Sequence, residues 1–205
     1  MNPNENGVIE RARRGDEEAF REIIRQHEHQ VAATVIGILG NGPEVDDIGQ
    51  ETFVQFYRSL SRFRGDSRLG TYLTRIAINL SLNELRRRKR LAQFLEPVLP
   101  GNANSVRSQK ERESSADAKG LVRRGLQSLP PEFRTVVVLR LINGYSTRET
   151  ADILHLPQGT VLSRLARGQA KLKEIIDGLN SQKPYEERNG EKSLEATVSV
   201  AGFRS

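Results

Sequence analysis

The sequence predicts an all-α protein made of two small helical domains joined by a flexible linker, with a helix-turn-helix in the second domain. Apolar residues recur at helical spacing over most of the chain, and the alternating pattern of β-strands is nearly absent. The helical pattern lapses once, in a stretch rich in proline, glycine, asparagine and serine, a composition typical of a linker. The predicted boundaries are 10–91 for the first domain, 92–119 for the linker, 120–176 for the second domain and 177–205 for a disordered tail.

The first domain is predicted to hold a succession of amphipathic helices. Asp16 is expected to cap the first of them, because Glu17 and Glu18 follow in the turn where the helix dipole favours acidic side chains. Apolar residues follow at helical spacing from Ala19 to Ile24, and a second helical stripe runs from Val31 to Leu39, before a break at 40–43 that contains glycine and proline. The later elements are expected at about 44–60 (helix), 63–67 (loop) and 69–91 (helix).

The second domain carries the signals of a helix-turn-helix. Ser146 and Glu149 have the spacing of a capping box, which satisfies backbone N–H groups at a helix start. Pro157 is expected to interrupt this helix and to open the next, where a missing N–H costs little. The small side chain of Ala151 stands where the two helices would cross. The apolar contacts between the two helices are assigned to Ile153, Leu154, Leu156, Val161 and Leu165.

The second helix of this pair is predicted to bind DNA. Its outer side carries Thr160, Ser163, Arg164 and Arg167, which supply hydroxyl and guanidinium donors for phosphates and base edges. Short helix pairs also occur as plain packing units, so this motif alone leaves both interpretations open.

Charge is distributed unevenly along the chain, whose net charge is +6. Residues 1–61 carry a net −5, residues 62–90 a net +7, residues 91–119 none and residues 120–173 a net +6. Two basic blocks separated by a neutral segment suggest two contact zones on one polyanion. The acidic N-terminal third is available for a protein partner.

Composition argues against several classes of site. The chain has no cysteine, which excludes disulfides and thiolate metal sites, and two of its three histidines, His27 and His29, would lie on different faces of a helix. We therefore expect no metal, no cofactor and no catalytic residues. The polar N-terminus and the lack of any long apolar run predict neither a signal peptide nor membrane insertion, and so a cytoplasmic protein.

An acidic stripe marks the predicted helix 44–60. Asp47, Gln50, Glu51 and Val54 are three or four residues apart and therefore share one face. This face is either solvated surface or a docking surface for a basic partner helix.

The block 62–90 combines aromatic rings with cations. Its cations include Arg64, Arg68, Arg75 and the run Arg86–Arg90. Phosphates attract such cations, while Phe63 and Tyr72 could stack on unpaired bases. Asn79 lies two helical turns after Tyr72 and offers an amide suited to a base edge. The alternatives are core packing for the rings and a solubilising helix end for the arginines; five consecutive cations favour nucleic acid.

Three segments, 46–60, 63–88 and 128–172, together resemble bacterial RNA polymerase sigma factors of the extracytoplasmic-function (ECF) group. The resemblance covers about residues 10–91 and 120–176. It implies a transcription factor without enzymatic activity, whose partners are core RNA polymerase and promoter DNA, with an anti-sigma factor as a further candidate partner.

The resemblance also implies residue roles. The coiled-coil clamp helices of the largest polymerase subunit would be contacted by Asp47, Gln50, Glu51 and Phe53. The chain would also contact other core surfaces. A base flipped from the promoter −10 element would enter a pocket lined by Phe63 and Asn79, near Arg64 and Tyr72. Phosphate contacts would come from Arg86, Arg87 and Arg88. The −35 element would be recognised by Thr160, Ser163, Arg164 and Arg167.

The chain departs from the family pattern at several positions. Leu162 and Gln169 stand where basic residues are usual, which should weaken phosphate anchoring and alter the −35 preference. His155 replaces a turn glycine; histidine is among the residues that tolerate a positive φ. Thr150, Leu69 and Tyr72 replace a usual aliphatic residue, Phe and Trp, respectively.

Two other functions were weighed against this interpretation. An ordinary helix-turn-helix regulator would bind a palindromic site as a dimer, and it would leave Asn79 and the loop 63–67 without a role. A serine recombinase would need a reactive serine near converging arginines in an α/β domain. Ser67, between Arg64 and Arg68, is the nearest candidate, but the strands for such a domain are missing.

Overall fold

The computed structural model describes residues 3–95 and 118–181, and every regular element in these ranges is a helix. The first module contains α1 (Pro3–Arg13), α2 (Glu17–Leu39), α3 (Glu44–Ser59), a 3-10 turn (Leu60–Arg62) and α4 (Leu69–Leu95). The second contains α5 (Ala118–Ser128), α6 (Pro131–Val137), a π-helical turn (Val138–Ile142), α7 (Thr147–Leu154) and α8 (Gln158–Ser181). The all-α fold class is confirmed. Most of the predicted linker and tail, residues 96–117 and 182–205, lies outside the described residues.

Helix α1 was not predicted, because its sequence is mostly polar. Its buried side is formed by Val8, Ile9 and Ala12, which pack into the core of the first module. From the end of this helix, Arg13 donates hydrogen bonds to the carbonyl oxygens of Leu60 (3.1 Å) and Phe63. Helix α1 therefore anchors the loop that precedes α4.

Helix α2 forms the centre of the first module and packs on α1, α3 and α4. Its N-cap is Asp16, as predicted, whose carboxylate accepts a hydrogen bond from the Ala19 N–H at 3.0 Å. Gly40, with φ +76°, ends the helix and donates to the Ile36 carbonyl at 2.8 Å. The side chains of Ile23, Val35, Ile38, Phe56, Leu69 and Leu73 are almost fully buried around this axis.

The two modules pack directly against each other. Tyr145 and Ile153 of the second module belong to the hydrophobic core of the first. The Tyr145 hydroxyl hydrogen-bonds to Thr74 Oγ1 at 2.9 Å and accepts from the Gln30 amide. A Cβ on Gly37 would lie 2.9 Å from both γ-carbons of Val138, so glycine permits the close approach of α2 to the π-helical turn.

This packing corrects the role predicted for Ile153. The sequence analysis placed Ile153 between the two helices of the helix-turn-helix, whereas its side chain belongs to the hydrophobic core that the two modules share. Leu154, Leu156, Val161 and Leu165 do pack between the helices, around Val136 and Ala151. A helical stripe identifies a residue as buried but does not identify the surface that buries it.

Arg134 joins the two modules through a buried guanidinium. Its Nη1 donates to the Ile38 carbonyl (2.6 Å) at the end of α2 and to Gln127 Oε1 (2.9 Å). Its Nη2 donates to the carbonyls of Gln127 (2.5 Å) and Leu129 (2.9 Å) at the end of α5. Burial lowers the pKa of Arg134 to about 10, and the group remains a cation at neutral pH.

Candidate nucleic-acid interface

The helix-turn-helix has the caps that its sequence predicts. Ser146 Oγ accepts from the Glu149 N–H at 3.2 Å, and a Glu149 carboxylate oxygen accepts from the Ser146 N–H at 2.9 Å. These hydrogen bonds lower the pKa of Glu149 below its usual value. His155 ends α7 in the left-handed conformation with φ +52°, so the turn forms with a histidine in place of glycine.

Removing the cap should destabilise the second module. We expect Ser146→Ala to lower the free energy of unfolding by about 1 kcal/mol, because an N–H of the first turn loses its acceptor. Ser146→Asp is the matched control, since aspartate also caps helices and should retain most of the stability. Urea unfolding followed by circular dichroism measures both; equal stability of wild type and Ser146→Ala would contradict the role of the cap.

Helix α8 presents one face to the core and the opposite face to solvent. Val161 is fully buried, and Leu165 and Leu172 pack in the same direction. Of the predicted DNA contacts, Ser163 and Arg167 are exposed, whereas Thr160 and Arg164 are half-buried. The Ser163 hydroxyl donates to the Thr160 carbonyl at 3.0 Å.

The two arginines of this face are free to bind an anion. Within residues 3–95 and 118–181, no carboxylate forms a salt bridge with Arg164 or Arg167. The exposed face of α8 is therefore basic on one side and available to a ligand.

Helix α4 carries a polar face that starts beside the loop 63–67. Asn79 is exposed and lies two turns after the half-buried Tyr72, so both share this face, as predicted. Arg64, in the loop, is also exposed. Arg86 continues the face, with its Nη1 donating to Asn83 Oδ1 at 2.8 Å.

The rings predicted to stack on bases are packed against each other. Phe63 is only 5% exposed, and its ring centre lies 5.0 Å from that of Tyr72 and 6.0 Å from that of Phe56. The Tyr72 hydroxyl donates to Ser59 Oγ at 3.1 Å. Core packing, the alternative that the sequence left open, therefore describes Phe63 in this structure. Its ring therefore lies beneath the polar face of α4 and not on it.

The basic end of α4 divides into paired and unpaired arginines. Arg88 is largely buried and donates to Glu84 (2.9 Å) and Glu44 (2.8 Å), which joins α4 to the start of α3. Arg87 forms a bidentate pair with Glu84, and this pairing lowers the pKa of that carboxyl. Arg86 lies outside this network. Of the three predicted phosphate contacts, Arg88 thus has a structural role as well.

The acidic face of α3 is exposed at Asp47 and Gln50, while Glu51 is half-buried and 3.7 Å from Arg58. Phe53 differs from its neighbours, since it is 8% exposed and belongs to the core. Sequence analysis missed Tyr57, which is 59% exposed and lies one turn from the exposed Val54. The spacing of Val54 and Tyr57 on one face was the available signal. The face therefore combines acidic, amide and apolar groups.

Neither a metal site nor a membrane-spanning helix lies within the described residues. No group of histidine, aspartate and glutamate side chains there could hold a metal ion. No helix there combines the length and the apolar character needed to cross a membrane.

Both modules match families of known proteins. The Sigma-70 region 2 model matches residues 23–91, and the Sigma-70, region 4 model matches residues 119–172. The ECF RNA polymerase sigma-E factor of Escherichia coli (strain K12) is 33% identical over 180 residues, covering 84% of this chain and 94% of that protein. The RNA polymerase sigma-H factor of Pseudomonas aeruginosa is 30% identical over 182 residues, with coverages of 84% and 93%. The solved structure of CnrH in complex with the cytosolic domain of CnrY is 26% identical, with a TM-score of 0.62 over 83% of this chain and 96% of that one.

Proposed function

Because the chain belongs to the ECF group of RNA polymerase sigma factors, we propose that it directs core RNA polymerase to promoters by binding their −10 and −35 elements. The observation that supports this most is the pairing of two exposed polar surfaces, one on each module. Helix α4 presents Asn79 beside a basic helix end, and α8 presents Arg167 in a helix-turn-helix. The protein itself carries out no catalytic step, since the polymerase supplies the chemistry.

Core binding is assigned to the face of α3. Asp47 and Gln50 project into solvent, and Val54 and Tyr57 add apolar area beside them. Such a surface suits a partner helix that is both basic and apolar, as expected of the clamp helices of the largest polymerase subunit. Phe53 would act indirectly, by holding α3 on the core.

Capture of a −10 base is assigned to the polar face of α4. A base that leaves the duplex loses its stacking, which costs a few kcal/mol. An exposed amide such as Asn79 offers both a donor and an acceptor to the base edge and recovers part of this cost. Arg64 and Arg86 lie at the two ends of the face, where they would hold the phosphates of the same strand.

Binding to both elements requires the modules to separate. The −10 and −35 elements are about 25 base pairs apart, which is about 85 Å along B-form DNA. In the packed arrangement, Arg75 on α4 donates to the Asp152 carbonyl on α7 at 2.9 Å. Through this contact, the helix from Arg75 to Asn79 and the segment from Asp152 to Arg167 can together span at most about 55 Å. This is the upper limit of the distance from Asn79 to Arg167. The packed arrangement is thus a form of the protein that cannot span a promoter.

A regulatory partner is proposed by analogy with CnrH, which was solved with another protein, the cytosolic domain of CnrY. We assign to this chain an anti-sigma factor as a partner of the same kind, and a cytoplasmic location, where core polymerase is found. An inhibitor that stabilises the packed modules would keep them from reaching both promoter elements.

The function is tested by co-purification with core RNA polymerase, followed by run-off transcription from a promoter library with and without the chain. A stable complex that initiates at promoters sharing a −10 and −35 pair is the expected result. A dimer that binds palindromic DNA and does not associate with core would establish the regulator instead.

Asn79→Ala should impair promoter opening without affecting core binding. We expect opening to fall by a factor of about 5 to 150, because a lost contact to a base edge is worth about 1–3 kcal/mol. Permanganate reactivity of unpaired thymines in the −10 region measures opening. Gln26→Ala is the matched control, because Gln26 is an exposed amide on α2, outside the polar face of α4, and its loss should leave opening unchanged. Equal opening by wild type and Asn79→Ala would refute the pocket.

A further inference from the structure

Leu162 is the large apolar side chain on the outer side of the recognition helix α8. Leu162 is 54% exposed, whereas Val161 and Leu165, which precede and follow it on α8, face the core. Because α8 is held in place by those two side chains, the rotation of the helix fixes Leu162 outward. No partner within the described residues covers it.

The exposed face of α8 is divided into an apolar edge and a cationic edge. Leu162 and Arg167 are five residues apart and therefore lie about 140° from each other around the helix. Ala166, one turn after Leu162, is exposed and too small to block the approach of a ligand. A helix in the major groove would thus present guanidinium groups on one side and an isobutyl group on the other.

The major groove offers few apolar groups that Leu162 could contact. Base edges carry hydrogen-bond donors and acceptors, and the exception is the 5-methyl group of thymine. A leucine against any other edge would leave donors or acceptors without partners. We propose that Leu162 is a specificity residue of this chain and selects a thymine in the −35 element through its methyl group. This inference rests on the proposed function, since it requires α8 to lie in the −35 major groove.

The polar side chains beside Leu162 are suited to other groups than a methyl. The hydroxyl hydrogen of Ser163 is donated to the Thr160 carbonyl at 3.0 Å, so it is not available to a base in this conformation. Arg164 and Arg167 would bind phosphates or guanine. Leu162 is thus the large apolar side chain of this face, and a thymine methyl is the base group that it can contact.

The test replaces thymine by uracil, which removes the methyl group and retains base pairing. The probe is a promoter duplex selected in the run-off experiment, with each −35 thymine replaced in turn and bound by the holoenzyme. At one position we expect uracil to weaken binding by wild type about fourfold, the effect of one buried carbon. Leu162→Ala should bind the thymine and uracil duplexes equally.

The control is Leu141→Ala, because Leu141 is 53% exposed in the same module but lies in the π-helical turn, outside the recognition helix. This variant should keep the fourfold preference for thymine. If wild type binds the thymine and uracil duplexes equally at every −35 position, the inference is overturned while the proposed function stands. If the holoenzyme does not form or does not select a −35 sequence, the proposed function itself fails.

Discussion

A disulfide introduced through Gly37→Cys and Val138→Cys is expected to abolish promoter-directed transcription, and its reduction is expected to restore it. The disulfide would join α2 of the first module to the π-helical turn of the second. It would hold the modules in the packed arrangement, in which the two promoter-binding surfaces are within about 55 Å of each other, too close for elements separated by about 85 Å. We expect run-off product from the cross-linked protein to fall to the level seen without the chain.

The geometry at this position suits a disulfide. A Cβ placed on Gly37 would be 3.5 Å from the Val138 Cβ, at the short end of the roughly 3.5–4.5 Å seen in disulfides. Replacing valine also removes the two γ-carbons that would lie 2.9 Å from that Cβ. Because the chain has no cysteine, no other pairing competes.

The experiment uses cross-linked protein purified before core polymerase is added without reductant. The matched controls are the two single-cysteine variants and the wild type, all of which should be active with and without reductant. Core binding through α3 is measured separately. If the cross-linked chain no longer bound core, the block would lie at core binding and not at promoter binding. Cross-linked protein that initiates as efficiently as its reduced form would show that the modules need not separate.

Local signals accounted for most of the fold that the sequence predicted. The cap at Asp16, the capping box of Ser146 and Glu149, and the left-handed turn at His155 each depend on residues within a few positions of one another. Such contacts leave a pattern in the sequence, since helix termini require particular side chains at fixed spacing. The helices around them were therefore placed within a few residues of their ends.

Contacts between distant parts of the chain left no such pattern. The Tyr145 hydroxyl bonds to Thr74, 71 residues away, and Arg134 bonds to Ile38, 96 residues away. Nothing in the spacing of these residues indicates a partner. For the same reason, the sequence identified the basic run at the end of α4 but not the pairing of Arg88 with Glu44.

Arg134→Met should cause the largest loss of stability among single substitutions considered for this chain. Its guanidinium serves carbonyls at the C-terminal ends of two helices, Ile38 of α2 and Gln127 and Leu129 near the end of α5. Carbonyls at helix ends lack partners within their helix and carry the negative end of the helix dipole. A cation there is therefore favoured both by the hydrogen bonds it donates and by its positive charge. Methionine retains much of the volume but supplies no donor.

We expect this substitution to lower the free energy of unfolding by about 3–5 kcal/mol, because several buried acceptors lose their partners together. Urea unfolding monitored by circular dichroism measures the change. Arg148→Met is the matched control, because Arg148 is exposed and its loss should change stability by less than about 0.5 kcal/mol. Arg134→Lys should fall between wild type and Arg134→Met, since an ammonium keeps the charge but cannot reach both helix ends with the same fork of donors. If Arg134→Met matched Arg148→Met, the hydrogen bonds of the buried guanidinium would not contribute to stability, and the modules would be held together by their other contacts.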